Sequence, residues 1–182
     1  PPGRALRVWS AACSTGQEAY SIAMVAEELR AALGGRAVEI LGTDLSHEVV
    51  ARAQSGLYTQ FEVQRGLPVA KLVQHFRQEE GRWRIAAPLR AMATFRVANL
   101  LEDQRRLGPF DVIFCRNVLI YFDPPTKARV LGMLADCLAP DGVLHLGGAE
   151  TVFGLSDRLV ALPGERGVFG LPRGRGAGPG AA

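Results

Sequence analysis

Residues 7–21 read Arg-Val-Trp-Ser-Ala-Ala-Cys-Ser-Thr-Gly-Gln-Glu-Ala-Tyr-Ser, and this stretch constrains the fold more than any other. An apolar run from Leu6 to Ala12 breaks at a turn of small residues, Cys13-Ser14-Thr15-Gly16. Apolar positions then recur at three and four residues (Tyr20, Ile22, Ala23, Met24, Ala26, Leu29), the period of a helix. Strand, tight turn and helix are how an open α/β sheet presents its first ligand loop, with helix-end amides aimed at the ligand. A second run, Val38-Glu39-Ile40-Leu41-Gly42-Thr43-Asp44, reads as the next strand and ends on an acid. An acid at the tip of strand two is where such folds hold ribose hydroxyls, so the chain up to Asp44 points to a nucleoside-containing cofactor. The loop has one glycine where a dinucleotide fingerprint places three, which favours a single nucleoside without phosphates over NAD.

The alternation of strand and helix patterns continues downstream. Ser46 is placed to cap a helix over Glu48–Gln54, which Gly56 stops; Pro68 opens a short helix through Phe76. The period then changes to two in Arg82–Ala86 and Ala93–Val97, which read as short antiparallel strands. Residues 79–98 are therefore expected to form a small β excursion from the core. Phe110–Cys115 reads as a buried strand. Asp123-Pro124-Pro125 is a helix start that should carry the helix to about Leu138. Ala139–Gly142 is expected to turn into a strand over Val143–Leu146, and Val168-Phe169 to close the sheet as an edge strand. Residues 173–182 are mostly glycine, alanine, arginine and proline and read as a linker or tail after a domain spanning 1–172.

The chain has 182 residues, 48% of them hydrophobic, enough for one domain with a core. No apolar run reaches the roughly 20 residues that span a bilayer, and Pro1-Pro2-Gly3-Arg4 does not read as a signal peptide. Cys13, Cys115 and Cys137 are odd in number and form no CxxC pair, which fits a reducing compartment such as the cytoplasm. His47, His75 and His145 show no metal spacing, and no metal is expected. Of the net charge of +3, two charges lie in the tail, on Arg173 and Arg175. Within residues 65–96, seven basic residues (Arg65, Lys71, Arg77, Arg82, Arg84, Arg90, Arg96) face two acids, Glu79 and Glu80. That excess suits an acidic partner, or it is a solvated face.

Several candidate residues carry two readings each. Thr15 to Glu18 also fits a capping box, with Thr15 as N-cap and Glu18 reaching back. An acid at a strand tip such as Asp44 is also common in structural turns. Asn99, in Ala98-Asn99-Leu100-Leu101, is also a residue for turning the chain at a strand end. Arg116 and Asn117 follow the carboxyl end of a buried strand, where open sheets bind ligands. The alternative is a salt-bridged Arg116 and a core Tyr121.

Taken together, four segments resemble the CheR family. They are Arg7–Met24, Gly42-Thr43-Asp44-Leu45-Ser46, Phe110–Asp123 (with Cys-Arg-Asn-Val-Leu-Ile-Tyr-Phe at 115–122) and Leu138-Ala139-Pro140-Asp141-Gly142. The family comprises the S-adenosylmethionine-dependent glutamate methyltransferases of bacterial chemoreceptors, and the resemblance reaches to about Leu171. It implies a doubly wound, Rossmann-like class I methyltransferase sheet with a small antiparallel β insertion. It further implies S-adenosylmethionine as cofactor, with S-adenosylhomocysteine as product. Ser14, Thr15 and Gly16 would shape the cofactor loop, Glu18 would contact the methionine part and Asp44 the ribose. Asn99 and Leu100 would flank adenine. Arg116 and Asn117 would line the same cleft, and Tyr121, with Arg116, would act beside the transferable methyl.

The implied partners are the cytoplasmic helices of a chemoreceptor, with further domains in a longer chain and neither nucleic acid nor membrane insertion. Family members usually begin with a helical domain that closes over the cofactor and supplies an arginine. This chain starts at the methyltransferase domain, so low activity is expected of it alone. The turn Arg77–Gly81 is short where relatives that grip a receptor tail carry a longer loop, so tail binding is not expected. The rival readings are a cofactor-binding scaffold without transfer and a methyltransferase of another substrate.

Overall fold

The computed structural model describes residues 3–172. The tail expected at 173–182 lies outside the described residues. By its contacts the chain divides into two units, 1–102 and 103–182.

The first unit opens with β1 (Leu6–Ala11), α1 (Gln17–Glu28), β2 (Val38–Asp44) and α2 (His47–Ser55). Leu6 to Ala11 pair in parallel with Val38 to Thr43, so the two strands end together. Their shared interior holds Val8, Trp9, Ala11 and Ile40, and the Trp9 indole N–H donates to Thr43 Oγ1 at 2.9 Å. Burying an indole requires such a partner for its one donor. α1 buries Ala19, Tyr20, Ala23, Met24 and Ala26, the helical spacing read from the sequence, while Leu29 is exposed. α2 begins at Ser46, whose hydroxyl accepts from the Val49 amide, and stops at Gly56, which sits at φ +60°.

Between α2 and the third parallel strand lies the small sheet: β3 (Leu57–Tyr58), α3 (Gln60–Gln64), α4 (Val69–His75), β4 (Phe76–Glu79) and β5 (Arg82–Ile85). Its order is β3-β5-β4, antiparallel throughout. Glu80 and Gly81, both at positive φ, make the hairpin turn, so the turn is tighter than Arg77–Gly81 and Arg77 to Glu79 belong to a strand. α5 (Ala87–Arg90) leads to β6 (Ala93–Val97). Here the sequence reading is corrected. Ala93–Val97 is not the partner of Arg82–Ile85 but pairs in parallel with β2, Ile40 opposite Ala93 through Asp44 opposite Val97. A strand with one buried face alternates in the same way whichever partner it takes, so period alone does not choose between them. The antiparallel excursion instead recruits Leu57–Tyr58 and Phe76–Glu79, both of which begin upstream of the expected boundary at residue 79.

The second unit holds β7 (Phe110–Cys115), α6 (Pro124–Cys137), β8 (Leu138–Leu146), β9 (Val160–Ala161) and β10 (Val168–Gly170). Asp123 caps α6 by accepting from the Thr126 amide at 2.9 Å, with Pro124 and Pro125 in the first turn. α6 buries Val130, Leu131, Leu134, Ala135 and Cys137. β7 and β8 are parallel, with a register shift between Phe110 and Val112. Ala139–Gly142, expected as a turn, is drawn into β8 by that irregular pairing. β10 is antiparallel to β8 on one side and to β9 on the other, so Val168-Phe169 is an interior strand and Val160–Ala161 takes the edge. Among the described residues the three cysteines are buried free thiols, no group of His, Cys, Asp and Glu is placed to hold a metal, and no helix is long and apolar enough to cross a membrane.

Candidate functional site

In the first unit the candidate residues gather at the carboxyl ends of three parallel strands. The turn after β1 folds back sharply, with Ala12 at φ +58°, Ser14 at +50° and Gly16 at +93°. Gly16 is required twice over. Its backbone is left-handed, and a Cβ there would lie 2.9 Å from Ala53 Cβ. Two tyrosines brace the turn from behind. Tyr58 donates its hydroxyl to Thr15 O at 2.8 Å and Tyr20 donates to Ala53 O at 2.7 Å, with their rings edge-to-face at 6.3 Å. Burial pushes the Tyr20 hydroxyl up to about 12 and the Tyr58 hydroxyl higher still, so both remain donors at neutral pH.

Asp44 ends β2 half-buried. Its Oδ2 accepts from the Ser14 amide at 2.9 Å and its Oδ1 from the Ser46 amide at 3.1 Å. The structural reading of this acid holds, since it organises two turns, and each of its oxygens has a further lone pair to offer. Ala98 N donates to Asp44 O at 2.9 Å, which carries the end of β6 to the same place. Asn99 follows, its Oδ1 accepting from the Leu101 amide at 3.0 Å, so the polar residue turns the chain as a strand-end asparagine does. Leu100 sits half-buried within that turn.

The capping-box reading of Thr15 and Glu18 is overturned. Gly16 is the N-cap of α1 and no side chain caps it. Thr15, 9% exposed, donates its hydroxyl to Gln17 Oε1 at 2.6 Å instead. Glu18 Oε1 accepts from the buried Ser10 hydroxyl at 2.7 Å, which points the acid toward β1 rather than back along its own helix. A capping box does exist, at Thr59 and Glu62 at the start of α3.

In the second unit, Arg116 and Asn117 are exposed after β7, and Asn117 is left-handed at φ +59°. Leu119–Tyr121 form one 3₁₀ turn in which Leu119 is buried and Tyr121 is 79% exposed. The core reading of Tyr121 thus fails: Leu119 anchors the turn and Tyr121 projects from it. The turn is held by a residue the sequence reading passed over. Glu150 Oε2 accepts from the amides of Asn117 (2.9 Å) and Gly147 (2.7 Å), and Glu150 Oε1 from those of Val118 (3.0 Å) and Leu119 (2.8 Å). The available signal was a glycine at the end of an apolar strand with an acid three residues later, Gly147 to Glu150.

Residues 2–168 match the CheR methyltransferase family in its SAM binding domain. The chain belongs to this family. It is 41% identical over 172 residues to the chemotaxis protein methyltransferase Cher2 of Pseudomonas putida, covering 92% of this chain and 62% of that protein. It is 39% identical over 172 residues to the chemotaxis protein methyltransferase of Escherichia coli, covering 92% of this chain and 59% of that one. The chain thus spans about three fifths of the length of these relatives. Among solved structures, a TehB-like SAM-dependent methyltransferase from Corynebacterium glutamicum is similar with a TM-score of 0.55, at 18% identity, over 92% of this chain and 81% of that one. That likeness shows the fold, a Rossmann-like α/β methyltransferase with helices around a mixed sheet. The CheR-family chain is an S-adenosylmethionine-binding domain, and the donor set of its first unit suits that cofactor. It has a carboxylate at the tip of β2, the position where such folds offer an acid to ribose, and a single glycine at a turn that leaves no room for a side chain.

Proposed function

We propose that this domain transfers the methyl group of S-adenosylmethionine to glutamate side-chain carboxylates on the cytoplasmic helices of a chemoreceptor, forming methyl esters. The observation that carries the cofactor half is Asp44, held by the Ser14 and Ser46 amides at the carboxyl end of β2. Family membership, with relatives named as chemotaxis protein methyltransferases, supports the acceptor half. The free thiols of Cys13, Cys115 and Cys137 suit action in the cytoplasm.

In this reading Asp44 holds the ribose, Glu18 contacts the methionine part of the cofactor, and Asn99 and Leu100 flank adenine. Ser14, Thr15 and Gly16 shape the loop against the cofactor. Arg116 and Tyr121 serve the transfer step, with Tyr121 beside the methyl, and Asn117 contacts the cofactor. The sulfonium cofactor supplies an activated methyl. A glutamate carboxylate, with an ordinary pKa of about 4.3, is already ionised at neutral pH, so no general base is needed. The chain's contribution is alignment and exclusion of water, effects that together supply about 7–11 kcal/mol in well-oriented systems.

The test is calorimetric titration with S-adenosylhomocysteine, together with transfer of labelled methyl to chemoreceptor-enriched membranes by the full-length protein. Label released as methanol by base marks a carboxyl ester. Binding without base-labile transfer makes the domain a cofactor-binding scaffold, and base-stable label moves it to another substrate.

A further inference from the structure

We infer that Glu150 is the positioning residue for the transfer step, acting through the segment Arg116–Tyr121. This rests on the function proposed above.

Four backbone donors converge on one carboxylate: the amides of Asn117, Val118, Leu119 and Gly147, at 2.7 to 3.0 Å. Three of them are consecutive. Along a strand successive amides point to opposite sides, so three in a row face one group only where the chain has left β7, and Asn117 marks that departure at φ +59°. Glu150 is itself anchored, because its own amide donates to Gly147 O at 3.0 Å. Hydrogen bonds to a charged acceptor are about twice as strong as neutral ones. The carboxylate therefore fixes the backbone of Asn117 to Leu119, and with it the direction in which Arg116 leaves β7 and Tyr121 leaves the 3₁₀ turn. Tyr121 is too exposed to be held by its own packing, whereas Leu119, two residues earlier, is buried and receives the carboxylate at its amide.

Gly147 completes the clamp. A Cβ there would lie 2.5 Å from Asn117 Oδ1, 2.8 Å from Glu150 Oε2 and 2.9 Å from Asn117 N. Space and charge thus converge on the same three residues. Lys127 lines the same small pocket as Glu150 and supplies positive charge there.

The experiment compares Glu150→Gln, Gly147→Ala and the double variant in the full-length protein. The isosteric amide puts an NH2 group against two of the four donors. The glycine change keeps the acceptor and displaces it. Methyl transfer to chemoreceptor-enriched membranes should lose about tenfold or more in kcat for each single variant, with receptor KM within about twofold, because a small misplacement costs turnover rather than docking. The double variant should be no worse than the poorer single one, as expected for two changes to one clamp. Hydrogen exchange should quicken at Asn117, Val118, Leu119 and Gly147 and stay unchanged along β7 and β8. A folded Glu150→Gln protein with wild-type kcat, a loss confined to KM, or additive effects overturns the assignment to Glu150. Wild-type protein that transfers no methyl overturns the proposed function itself, and this inference with it.

Discussion

Gly42 makes room for Phe95. A Cβ built on Gly42 in β2 would lie 2.5 Å from Phe95 Cδ1, and the two residues sit opposite one another where β2 pairs with β6. The ring fills the place of the missing side chain and meets Tyr20 edge-on at 5.5 Å. Gly42→Ala should therefore destabilise the domain by about 1–3 kcal/mol, the usual range for overpacking. Phe95→Leu should cost stability alone yet lessen the cost of Gly42→Ala when combined. Urea denaturation of the four proteins checks this, and strictly additive losses would sink the packing account.

Asp44 should carry cofactor affinity and local order together. Asp44→Ala removes the acceptor for the Ser14 and Ser46 amides as well as the proposed ribose contact. A hydrogen bond to a charged group is worth about 1.5–3 kcal/mol, so S-adenosylhomocysteine should bind roughly ten- to a hundredfold more weakly. Unchanged calorimetric affinity in a folded variant would remove Asp44 from the ribose.

The domain should lose stability in alkali earlier than its carboxylates and arginines would suggest. Burial, aided by the neighbouring Asp44 charge, pushes the Cys13 thiol from 9.0 up to about 12. The folded state thus holds a proton that the unfolded chain releases at about pH 9. Its contribution is complete below pH 9 and is lost as pH rises from 9 toward 12. Tyr20, raised by burial from 10.0 to about 12, acts in the same direction from pH 10 upward. Urea midpoints measured from about pH 8 to pH 10.5 should fall, and Cys13→Ala should flatten that fall. Identical slopes with and without the thiol would contradict it.

Arg82 is the better probe of the basic segment than Arg84. Arg84 is ion-paired with Glu79 and donates to Ser55 O, so it serves the small sheet. Arg82 is exposed on the same strand. Arg82→Glu should raise receptor KM about three- to tenfold at low salt, with the difference closing as salt screens exposed charges beyond about 10 Å, while S-adenosylhomocysteine affinity holds. Equal KM at every salt concentration would leave Arg82 a solvated charge.

What was legible follows from local physics. Ser46 and Asp123 cap their helices, Gly56 stops α2, and Gly16 turns the chain after β1, because each depends on residues within a few positions. What was missed depends on partners far along the chain. The Ser10 hydroxyl takes Glu18 away from its capping role. Tyr58 reaches Thr15 across 43 residues of sequence, and Glu150 reaches Asn117 across 33.

The chain's own order of residues determined the strand-turn-helix start, the acid at the end of β2, the capped helix after Tyr121 and the family to which they belong. These are written in short-range pattern, where side-chain period, caps and left-handed glycines act within a turn or two of backbone. Only the tertiary structure decided that Ala93–Val97 lies parallel to β2 rather than across from Arg82–Ile85, and that Val160–Ala161 takes the edge outside Val168–Gly170. It alone assigned Glu150 to the amides of Asn117 to Leu119. Strand period says which face is buried but not which neighbour is paired, and a carboxylate finds its donors only once the chain has folded them into reach.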